Sequence, residues 1–466
     1  MQVTSRSLDS AAPTGSSWMP QAFRPPLPAP PITDPDEIAA KYKYFRPRIL
    51  IWTTIGYGMF YFVRKNLSIA MPLMNTQLGL GTDSLGLILT VHGVLYGVSK
   101  FLNGMLADRA NARIFMASAL IISAILNVCF GLSSALVFFG IFWMLNGWFQ
   151  GMGYPPCARL LTHWFSPKEL ATKMSLWNAS HVLGGGSIVV LCGYIIQFTD
   201  DWRLCFFVPA VLAVGTACFL LIHLRDTPES VGLPEIEGTA PVSAVAGVSE
   251  AEIEAKQTAA EFRQFLWRQV FCNPYIWLAS AGNFFVYTIR FSIFDWGPFM
   301  LKKSKHIELT NATWIMFGFE VAGLGGMLLT GWLTDKYFRG RSAPLCVICM
   351  LLCGLSIFLF WLLPPDSPWL CTGLLMSAGF FVYGPQALVA VIVANLATKR
   401  AAATAVGLTS IFGYASTVLS GWGLGLLVKT YSWSVAFQCL IVVALCGAVL
   451  FAFVLPAKAS GYDSHK

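Results

Sequence analysis

The sequence contains few charged residues. Lys, Arg, Asp and Glu make up 12% of its 466 residues, about half the ~25% that is usual in a soluble domain. Hydrophobic residues make up 56%, and the mean hydropathy is +0.63. A soluble fold of this size could not remove so much apolar surface from water. The composition therefore excludes a soluble globular protein and indicates that lipid solvates much of the chain.

The sequence also lacks the motifs of an enzyme or of an ATP-driven pump. Its 12 cysteines lie mainly in apolar segments without Cys-x-x-Cys spacing, so they indicate neither a metal site nor a disulfide framework. The glycine run 184–186 lies inside an apolar segment and lacks the Gly-Lys-Ser/Thr ending of a phosphate-binding loop. We therefore expect no enzymatic activity, no cofactor, no metal and no direct use of ATP.

Twelve segments are apolar and long enough to cross a bilayer, which requires about 20 residues. The predicted spans are 49–74, 84–107, 113–133, 136–158, 170–197, 203–224, 274–300, 310–334, 343–364, 367–396, 401–428 and 433–456. The pattern predicts an all-α membrane protein with two six-helix bundles, at 49–224 and 272–456. A hydrophilic linker at 225–271 joins the bundles, and polar tails at 1–48 and 457–466 flank them.

Basic residues mark one side of the predicted membrane domain. Lys and Arg occur before the first span and in every second loop, which places both termini and the linker in the cytoplasm. The bacterial inner membrane is the default location. Because the net charge of +8 resides mostly in these loops, it reports orientation, and we expect no nucleic-acid partner. Lys302, Lys303 and Lys305, on the other side, are an exception that the rule does not explain.

Two features recur at nearly the same spacing. Asp108 and Asp335, each after a membrane span, are 227 residues apart. Arg64 in the first span and Arg290 in the seventh are 226 residues apart. Two independent features at one offset indicate that the halves are parallel, pseudo-symmetric repeats, an arrangement that resembles the major facilitator superfamily.

The repeated arginines lie inside predicted membrane spans, where a charge costs at least ~2.5–3.5 kcal/mol. In the two-fold arrangement, Arg64 and Arg290 would face each other across a central cavity and repel. An anion between them would satisfy both, and a phosphate or phosphate ester suits bidentate binding by two guanidinium groups. The alternative is that carboxylates neutralise the arginines, with Glu320 in the eighth span as the obvious candidate.

Polar aromatic residues share helical faces with these charges. Tyr57, Tyr61 and Arg64 are spaced i, i+4 and i+7, which aligns them on one stripe of the first span. Tyr96 and Lys100 are four apart in the second span. Tyrosines supply hydroxyl donors to phosphate oxygens and flat walls for a small organic group. The lysine would either add positive charge to the cavity or pair with an acid.

The fifth span carries a further candidate pair, Trp177 and His181, again four residues apart. A single histidine in a helix is either a structural residue or a contact to the ligand, whose charge would then follow phosphate protonation near neutral pH. The glycines 184–186 follow one turn later. They predict either a close backbone approach by a neighbouring helix or a bend in the fifth span.

Charged residues at helix ends suggest a gate. Asp108 and Arg109 follow the second span, and Asp335 and Lys336 follow the eighth. One interpretation is a cytoplasmic ion-pair network that stabilises an inward-closed conformation of the two bundles. The other is that these charges simply meet water and lipid headgroups. On neither interpretation do they contact the substrate.

Five further motifs occur along the chain, and they are Gly56-Tyr-Gly-Met-Phe-Tyr-Phe-Val-Arg-Lys-Asn66, Gln150-Gly-Met-Gly-Tyr-Pro-Pro-Cys157, Asn273-Pro-Tyr275, Asp295-Trp-Gly297 and Tyr383-Gly-Pro385. Together they resemble the organophosphate:phosphate antiporter family, over roughly 41–456. The resemblance implies a major facilitator fold of twelve transmembrane helices. It implies that Arg64 and Arg290 bind phosphate and that His181 helps engage it. It also implies that the following residues line or neighbour the cavity: Tyr57, Tyr61, Tyr96, Tyr383, Tyr414 and Lys100.

The resemblance implies exchange of a phosphorylated sugar, best matched by glucose 6-phosphate, for inorganic phosphate by alternating access. A sensor-like branch of the family looks most similar, so a receptor for external hexose phosphate that acts on a two-component histidine kinase is the alternative. A carrier of glycerol 3-phosphate or of another organic anion is a second alternative. Tyr154 replaces the Trp of glycerol-phosphate carriers, and 401–428 lacks the Asp/Lys pair of hexose-phosphate carriers. We expect a monomer.

Overall fold

The computed structural model describes residues 20–107, 110–236, 264–338, 341–364, 367–397 and 401–457. Within these ranges the protein is helical and contains no strand. The N-terminal half contains α1 (Pro35–Phe62), α2 (Leu67–Leu78), α3 (Thr82–Ala107), α4 (Ala112–Leu132), α5 (Leu136–Gln150), α6 (Tyr154–Trp164), α7 (Pro167–Thr199) and α8 (Leu204–His223). The C-terminal half contains α9 (Pro274–Ser304), α10 (Leu309–Lys336), α11 (Ala343–Leu362), α12 (Pro368–Leu396), α13 (Ala402–Ala415), α14 (Leu424–Thr430) and α15 (Trp433–Val454), with a π-helical turn (Val418–Gly423) between α13 and α14.

The helices match the predicted spans. Within the described part of the chain, nine helical segments are individually long and apolar enough to cross a membrane. The other three predicted spans are the broken first span (α1 and α2), the fourth span (α5 and α6) and the seventh span (α9), which carries several polar residues. The architecture is consistent with twelve transmembrane segments in two bundles.

The first helix begins earlier than the predicted span. Residues 1–48 are assigned to a polar tail by hydropathy, but α1 starts at Pro35. Asp34 caps this start, because its side chain accepts a hydrogen bond of 3.1 Å from the backbone N–H of Asp36. Proline at the first helical position and two acids in the first turn also favour a helix start. The hydropathy pattern missed this polar extension because it detects only the apolar part of a helix.

The two halves repeat the same helix packing. In the N-terminal half, Trp177 of α7 donates to the carbonyl oxygen of Thr53 in α1 at 3.2 Å, so α1 and α7 pack side by side. In the C-terminal half, Asn283 of α9 donates to the carbonyl oxygen of Thr409 in α13 at 2.9 Å. The first span therefore packs on the fifth in each half, as parallel repeats require.

Glycines bring α1 and α7 together as predicted. A Cβ atom added at Gly184 would lie 2.5 Å from the carbonyl oxygen of Gly58. Only glycine, which has no Cβ atom, permits the two backbones to approach so closely. Of the two alternatives for the glycine run 184–186, the structure thus shows the close backbone approach.

The two faces of the membrane domain can be defined from the backbone contacts. The terminal face is the side on which α1 begins and α8 ends, because Ile32 donates to Gly232 there at 2.9 Å. The loop between α3 and α4 lies on the same side, where Asn111 donates to Phe23 at 2.8 Å. The distal face is the opposite side, where α3 begins.

The bundles contact each other in the distal half. Thr82 donates to Gly425 at 2.8 Å, and Asp83 pairs with Lys429 at 2.9 Å. Closer to the membrane centre, Thr90 donates to Thr417 at 2.8 Å. Every hydrogen bond or ion pair that joins the two bundles through a pair of described residues lies in this half or near the centre.

The bundles separate toward the terminal face. On α3, a Cβ atom at Gly97 would lie 2.7 Å from Tyr414 of the other bundle. Two turns further along the same face, a Cβ atom at Gly104 would meet nothing within 4 Å. The helices that are in contact at the membrane centre have therefore diverged at the terminal end.

Candidate functional site

The first span breaks at the position of its arginine. The segment between α1 and α2 comprises Val63, Arg64, Lys65 and Asn66. Hydropathy predicts an uninterrupted span, so this break is a correction to the sequence-based expectation. Non-helical backbone is tolerated at this depth only where it is buried in protein or lines a cavity.

Buried asparagines from neighbouring spans hold the break. The carbonyl oxygen of Val63 accepts hydrogen bonds of 2.9 Å from the side-chain amides of Asn127 in α4 and Asn146 in α5. Asn66 donates to the Asn127 amide oxygen at 2.8 Å and to the Cys205 carbonyl oxygen at 2.9 Å. All three asparagine side chains are fully buried. These bonds satisfy backbone groups that the broken helix leaves free and fix the direction of the adjacent Arg64.

Replacing Asn146 by Leu is expected to weaken anion binding at Arg64 about tenfold, because one of two donors to the Val63 carbonyl is lost and Arg64 is no longer held in place. The measurement is labelled-phosphate binding to purified protein. Ser356→Ala is the control, since this buried hydroxyl bonds Ser377 at 3.0 Å, away from the break. Equal affinities of Asn146→Leu and the control would contradict the assigned positioning role.

Arg64 has aromatic neighbours. Its guanidinium lies 4.0 Å from the ring centre of Tyr61 and 4.9 Å from that of Tyr96. Its buried Nε has no hydrogen-bond partner, and no described carboxylate forms an ion pair with it. Arg64 is therefore a partly buried cation packed against π-faces, a state that an anionic ligand would stabilise.

Arg290 has a carboxylate partner. Its Nη2 lies 3.8 Å from Glu320 Oε1, and its guanidinium lies 4.6 Å from the ring centre of Tyr383. The Tyr383 hydroxyl donates to the same carboxylate oxygen. Arg290 Nε and Glu320 Oε2 remain without partners. The alternative raised from the sequence, neutralisation by Glu320, thus applies to Arg290 and not to Arg64.

Beside the arginines, a further ion pair connects the N-terminal bundle to the C-terminal bundle. Lys65 follows Arg64 directly, and its Nζ bonds the carboxylate of Asp295 in α9. Lys65 is only 9% exposed and lies about 5 Å from the rings of Phe291 and Phe294. In the sequence, Asp295 stands out as part of the motif 295–297, whereas Lys65 is not among the predicted site residues. The sequence contained a signal for Lys65, since it is a second charged residue, directly after Arg64, within a hydrophobic span.

Both arginines line one cavity of about 60 Å³ between the bundles. Lys65, Asp295 and aromatic residues complete its wall, and the lining includes Tyr61, His92, Tyr96, Phe291 and Tyr414. The cations Arg64, Lys65 and Arg290 outnumber the acids Asp295 and Glu320. The cavity therefore presents excess positive charge in a low-dielectric setting, which suits an anion.

The other predicted residues form an aromatic cluster on the terminal side of this cavity. Tyr57 lies 4.8 Å from Trp177, and Tyr61 lies 6.2 Å from His181, measured between ring centres. Trp177 is 1% exposed and bonds the α1 backbone, so it supports Tyr57 from behind. The structure thus brings His181 close to the arginine site.

Lys100 projects into the same cluster. Its Nζ lies 4.5 Å from the ring centre of Tyr154 and 5.6 Å from that of Tyr414. Tyr414 in turn lies 4.8 Å from Tyr96. Lys100 has no described acid as an ion-pair partner, so of the two roles considered it has the geometry of an added positive charge. Tyr383, by contrast, is fully buried behind Arg290 and positions Glu320.

The predicted gate lies mostly outside the described part of the structure. Asp108, Arg109 and the side chain of Asp335 are not described. Lys336 is exposed, and its Nζ lies 4.6 Å from the ring centre of Trp332. The gate therefore remains a prediction. Of the unexplained lysines, Lys305 donates to the carbonyl oxygen of Leu363 at 2.5 Å and joins two distal loops.

Two helical bundles with a cation-rich cavity between them define a membrane carrier of the major facilitator type. The family model of the Major Facilitator Superfamily matches residues 53–421. The chain belongs to this superfamily and, by its relatives, to the organophosphate:phosphate antiporter family within it. The resemblance on which the sequence-based expectation rests is thereby confirmed.

The relatives are similar over almost their whole length. A probable hexose phosphate transport protein of Chlamydia pneumoniae is 38% identical, over 92% of this chain and 95% of the relative. The glycerol-3-phosphate transporter of Bacillus subtilis is 37% identical, over 91% and 96%. The membrane sensor protein UhpC of Escherichia coli is 36% identical, over 93% and 97%.

A solved structure shares the fold. It is a bacterial homologue of the human lysosomal transporter Spinster, in an inward-facing and occupied conformation. The TM-score is 0.70 at 15% identity, over 89% of this chain and 97% of the other. The chain is thus a multi-pass membrane protein with a transporter fold.

Proposed function

We propose that this protein exchanges a phosphorylated sugar for inorganic phosphate, with glucose 6-phosphate as the preferred ester. One observation supports this proposal most directly. Arg64 and Arg290, from opposite bundles, line one cavity, and each has a buried Nε without a hydrogen-bond partner. A phosphoryl group has enough oxygens to accept from both guanidinium groups at once. The hexose-phosphate and glycerol-phosphate relatives support this ligand class.

The asymmetry of the two arginines suggests an order of events. Arg64, which has no carboxylate partner, receives the phosphoryl group first. Arg290 then leaves Glu320 and completes the bidentate contact, while Tyr383 keeps its hydrogen bond to the released carboxylate. Without an anion, Arg290 stays paired with Glu320. The positive charge of Arg64 then repels the positive charge of the C-terminal bundle when the two bundles move together. Reorientation of the empty carrier is therefore disfavoured, which makes exchange obligatory.

The structure corresponds to the inward-facing state in this proposal. The positive loops support a cytoplasmic location for the terminal face and both termini, and we take the membrane to be a bacterial inner membrane. The bundles are joined in the distal half and diverge toward the terminal face. Opening to the outside would require the ion pair Lys65–Asp295 to break. Alternating access then consists of rocking the two bundles around the bound anion.

Replacing Glu320 by Gln is expected to tighten phosphate binding several-fold and to slow exchange, because the neutral amide competes less well for Arg290. Binding is measured with labelled phosphate on purified protein, and exchange in proteoliposomes. Glu308→Gln, at an exposed position in the distal loop before α10, is the control. Weaker binding by Glu320→Gln would show that Glu320 supports the bound anion instead of competing with it.

A receptor for external hexose phosphate is the second candidate, supported by the similarity to the membrane sensor protein UhpC. The same cavity would bind the ester, and occupancy would alter contacts with a sensor kinase. Flux distinguishes the candidates, since a receptor binds the ester without moving phosphate.

The organic part of the ligand is tested by competition. Glucose 6-phosphate should displace labelled phosphate at lower concentration than glycerol 3-phosphate does, and the reverse order would favour the glycerol-phosphate alternative. We expect the exchanging unit to be a monomer.

A further inference from the structure

A second cavity, of about 500 Å³, lies at the terminal ends of α1 and α7. None of its lining residues belongs to the wall of the central cavity. Its charged and aromatic lining residues are Tyr42, Lys43, Arg46, Phe165, Glu169 and Lys173. Three cations against one carboxylate leave an excess of positive charge.

The basic residues of α1 lie on the helical face that leads to the central site. The helix is unbroken from Pro35 to Phe62. Lys43 precedes Tyr61 by 18 residues, and Arg46 precedes Tyr57 by 11 residues, which at ~3.6 residues per turn are about five and about three turns. The α1 residues of the second cavity therefore lie on the same helical face as Tyr57 and Tyr61 of the central site.

The α7 side of the cavity shows the same continuity. Lys173 lies one turn before Trp177, which packs against Tyr57. The Nζ of Lys173 lies 5.7 Å from the ring centre of Phe165. Both helices thus carry cations at the terminal end and aromatic residues toward the membrane centre.

Arg46 is held in a fixed position between these helices. Its Nε donates to the carbonyl oxygen of Trp164 at 3.0 Å, and its guanidinium lies 4.9 Å from the ring centre of Phe165. Glu169 pairs with its Nη2. A guanidinium fixed by three contacts, with two lysines on the same cavity wall, has the chemistry of a phosphate or phosphate-monoester site.

We propose that this cavity is an entry site, a second and weaker anion site that receives the phosphoryl group at the terminal face before it moves to Arg64 and Arg290. The inference rests on the proposed function, because it assigns the entry route for the same ligands. Clustered positive charge at the mouth of a low-dielectric cleft raises the local concentration of anions and their association rate.

The test is the double variant Lys43→Gln/Lys173→Gln in vesicles of known orientation. The KM for labelled phosphate presented at the terminal face is expected to rise about fivefold at low ionic strength. The rise should disappear in ~1 M potassium gluconate, where the Debye length is about 3 Å. The KM for phosphate presented at the distal face should not change, because the entry site lies at the other mouth.

The control is Lys41→Gln/Arg48→Gln, which removes the same charge from the opposite face of α1. The Nζ of Lys41 lies 2.9 Å from Glu37 Oε1, and the guanidinium of Arg48 lies 3.8 Å from the ring centre of Tyr44. Its KM at both faces should match that of the wild type. An unchanged terminal KM in the entry-site variant, or an equal rise in the control or at the distal face, would overturn the proposal.

A failure of the proposed function would look different, because the wild-type protein would then show no phosphate exchange. Binding of labelled phosphate to purified Arg64→Ala protein decides the entry site in that case, since the central site is removed. Saturable binding that Lys43→Gln/Lys173→Gln abolishes supports the entry site. Binding that is absent, or that survives this change, overturns it.

Discussion

Arg64→Ala is expected to lower phosphate exchange by at least ~100-fold, because two charge-assisted hydrogen bonds to the phosphoryl group are lost at about 1.5–3 kcal/mol each. The assay is exchange of labelled phosphate in proteoliposomes. Arg268→Ala, at an exposed position before α9, should exchange at the wild-type rate. Normal exchange by Arg64→Ala would contradict the assigned anion site.

The two arginines should differ in what their loss does to stability. Arg290→Ala also abolishes exchange, but it leaves the buried carboxylate of Glu320 without its cation. Removing one partner of a buried ion pair costs about 3–5 kcal/mol. Thermal unfolding should therefore show a lower midpoint for Arg290→Ala than for Arg64→Ala, and Arg290→Ala/Glu320→Gln should recover most of the difference.

Breaking the ion pair between Lys65 and Asp295 has the second-largest expected effect. Asp295→Asn leaves Lys65 buried without a counter-charge and removes a tie between the bundles, so exchange should fall at least about tenfold. The charge swap Lys65→Asp/Asp295→Lys should restore a large part of it. A double-mutant cycle should give a coupling above ~1.5 kcal/mol.

The pair Asp83–Lys429 is the matched control for this prediction. It also joins the bundles, but the Lys429 side chain is 56% exposed, and exposed pairs contribute less than about 1 kcal/mol. Asp83→Asn should therefore change exchange by no more than about twofold. Equal losses of exchange in both variants would show that breaking any contact between the bundles has the same effect and that Lys65 has no special role.

Much of the fold follows from local sequence patterns. Apolar run length predicts membrane helices, and the 226-residue offset between Arg64 and Arg290 predicts two repeated halves. The cost of an intramembrane charge points to a functional arginine pair. These inferences need no knowledge of which helices touch, and the structure brings both arginines to one cavity.

The rest of the site depends on contacts between distant parts of the chain. The break in the first span is held by Asn127 and Asn146, from two other spans, which donate to the Val63 carbonyl oxygen. The sequence offered Glu320 as a partner for either arginine, but its spacing could not show that Glu320 pairs with Arg290 alone or that Lys65 pairs with Asp295. The asparagines within apolar spans were a signal, since a buried amide needs a hydrogen-bonding partner.

Counterflow in proteoliposomes tests the central claim most directly. Vesicles loaded with unlabelled phosphate are diluted into labelled phosphate, with and without external glucose 6-phosphate. The account predicts uptake of label that requires internal phosphate, that external glucose 6-phosphate suppresses, and that Arg64→Ala abolishes. Saturable binding of glucose 6-phosphate without any movement of label would contradict the account and identify the protein as a receptor.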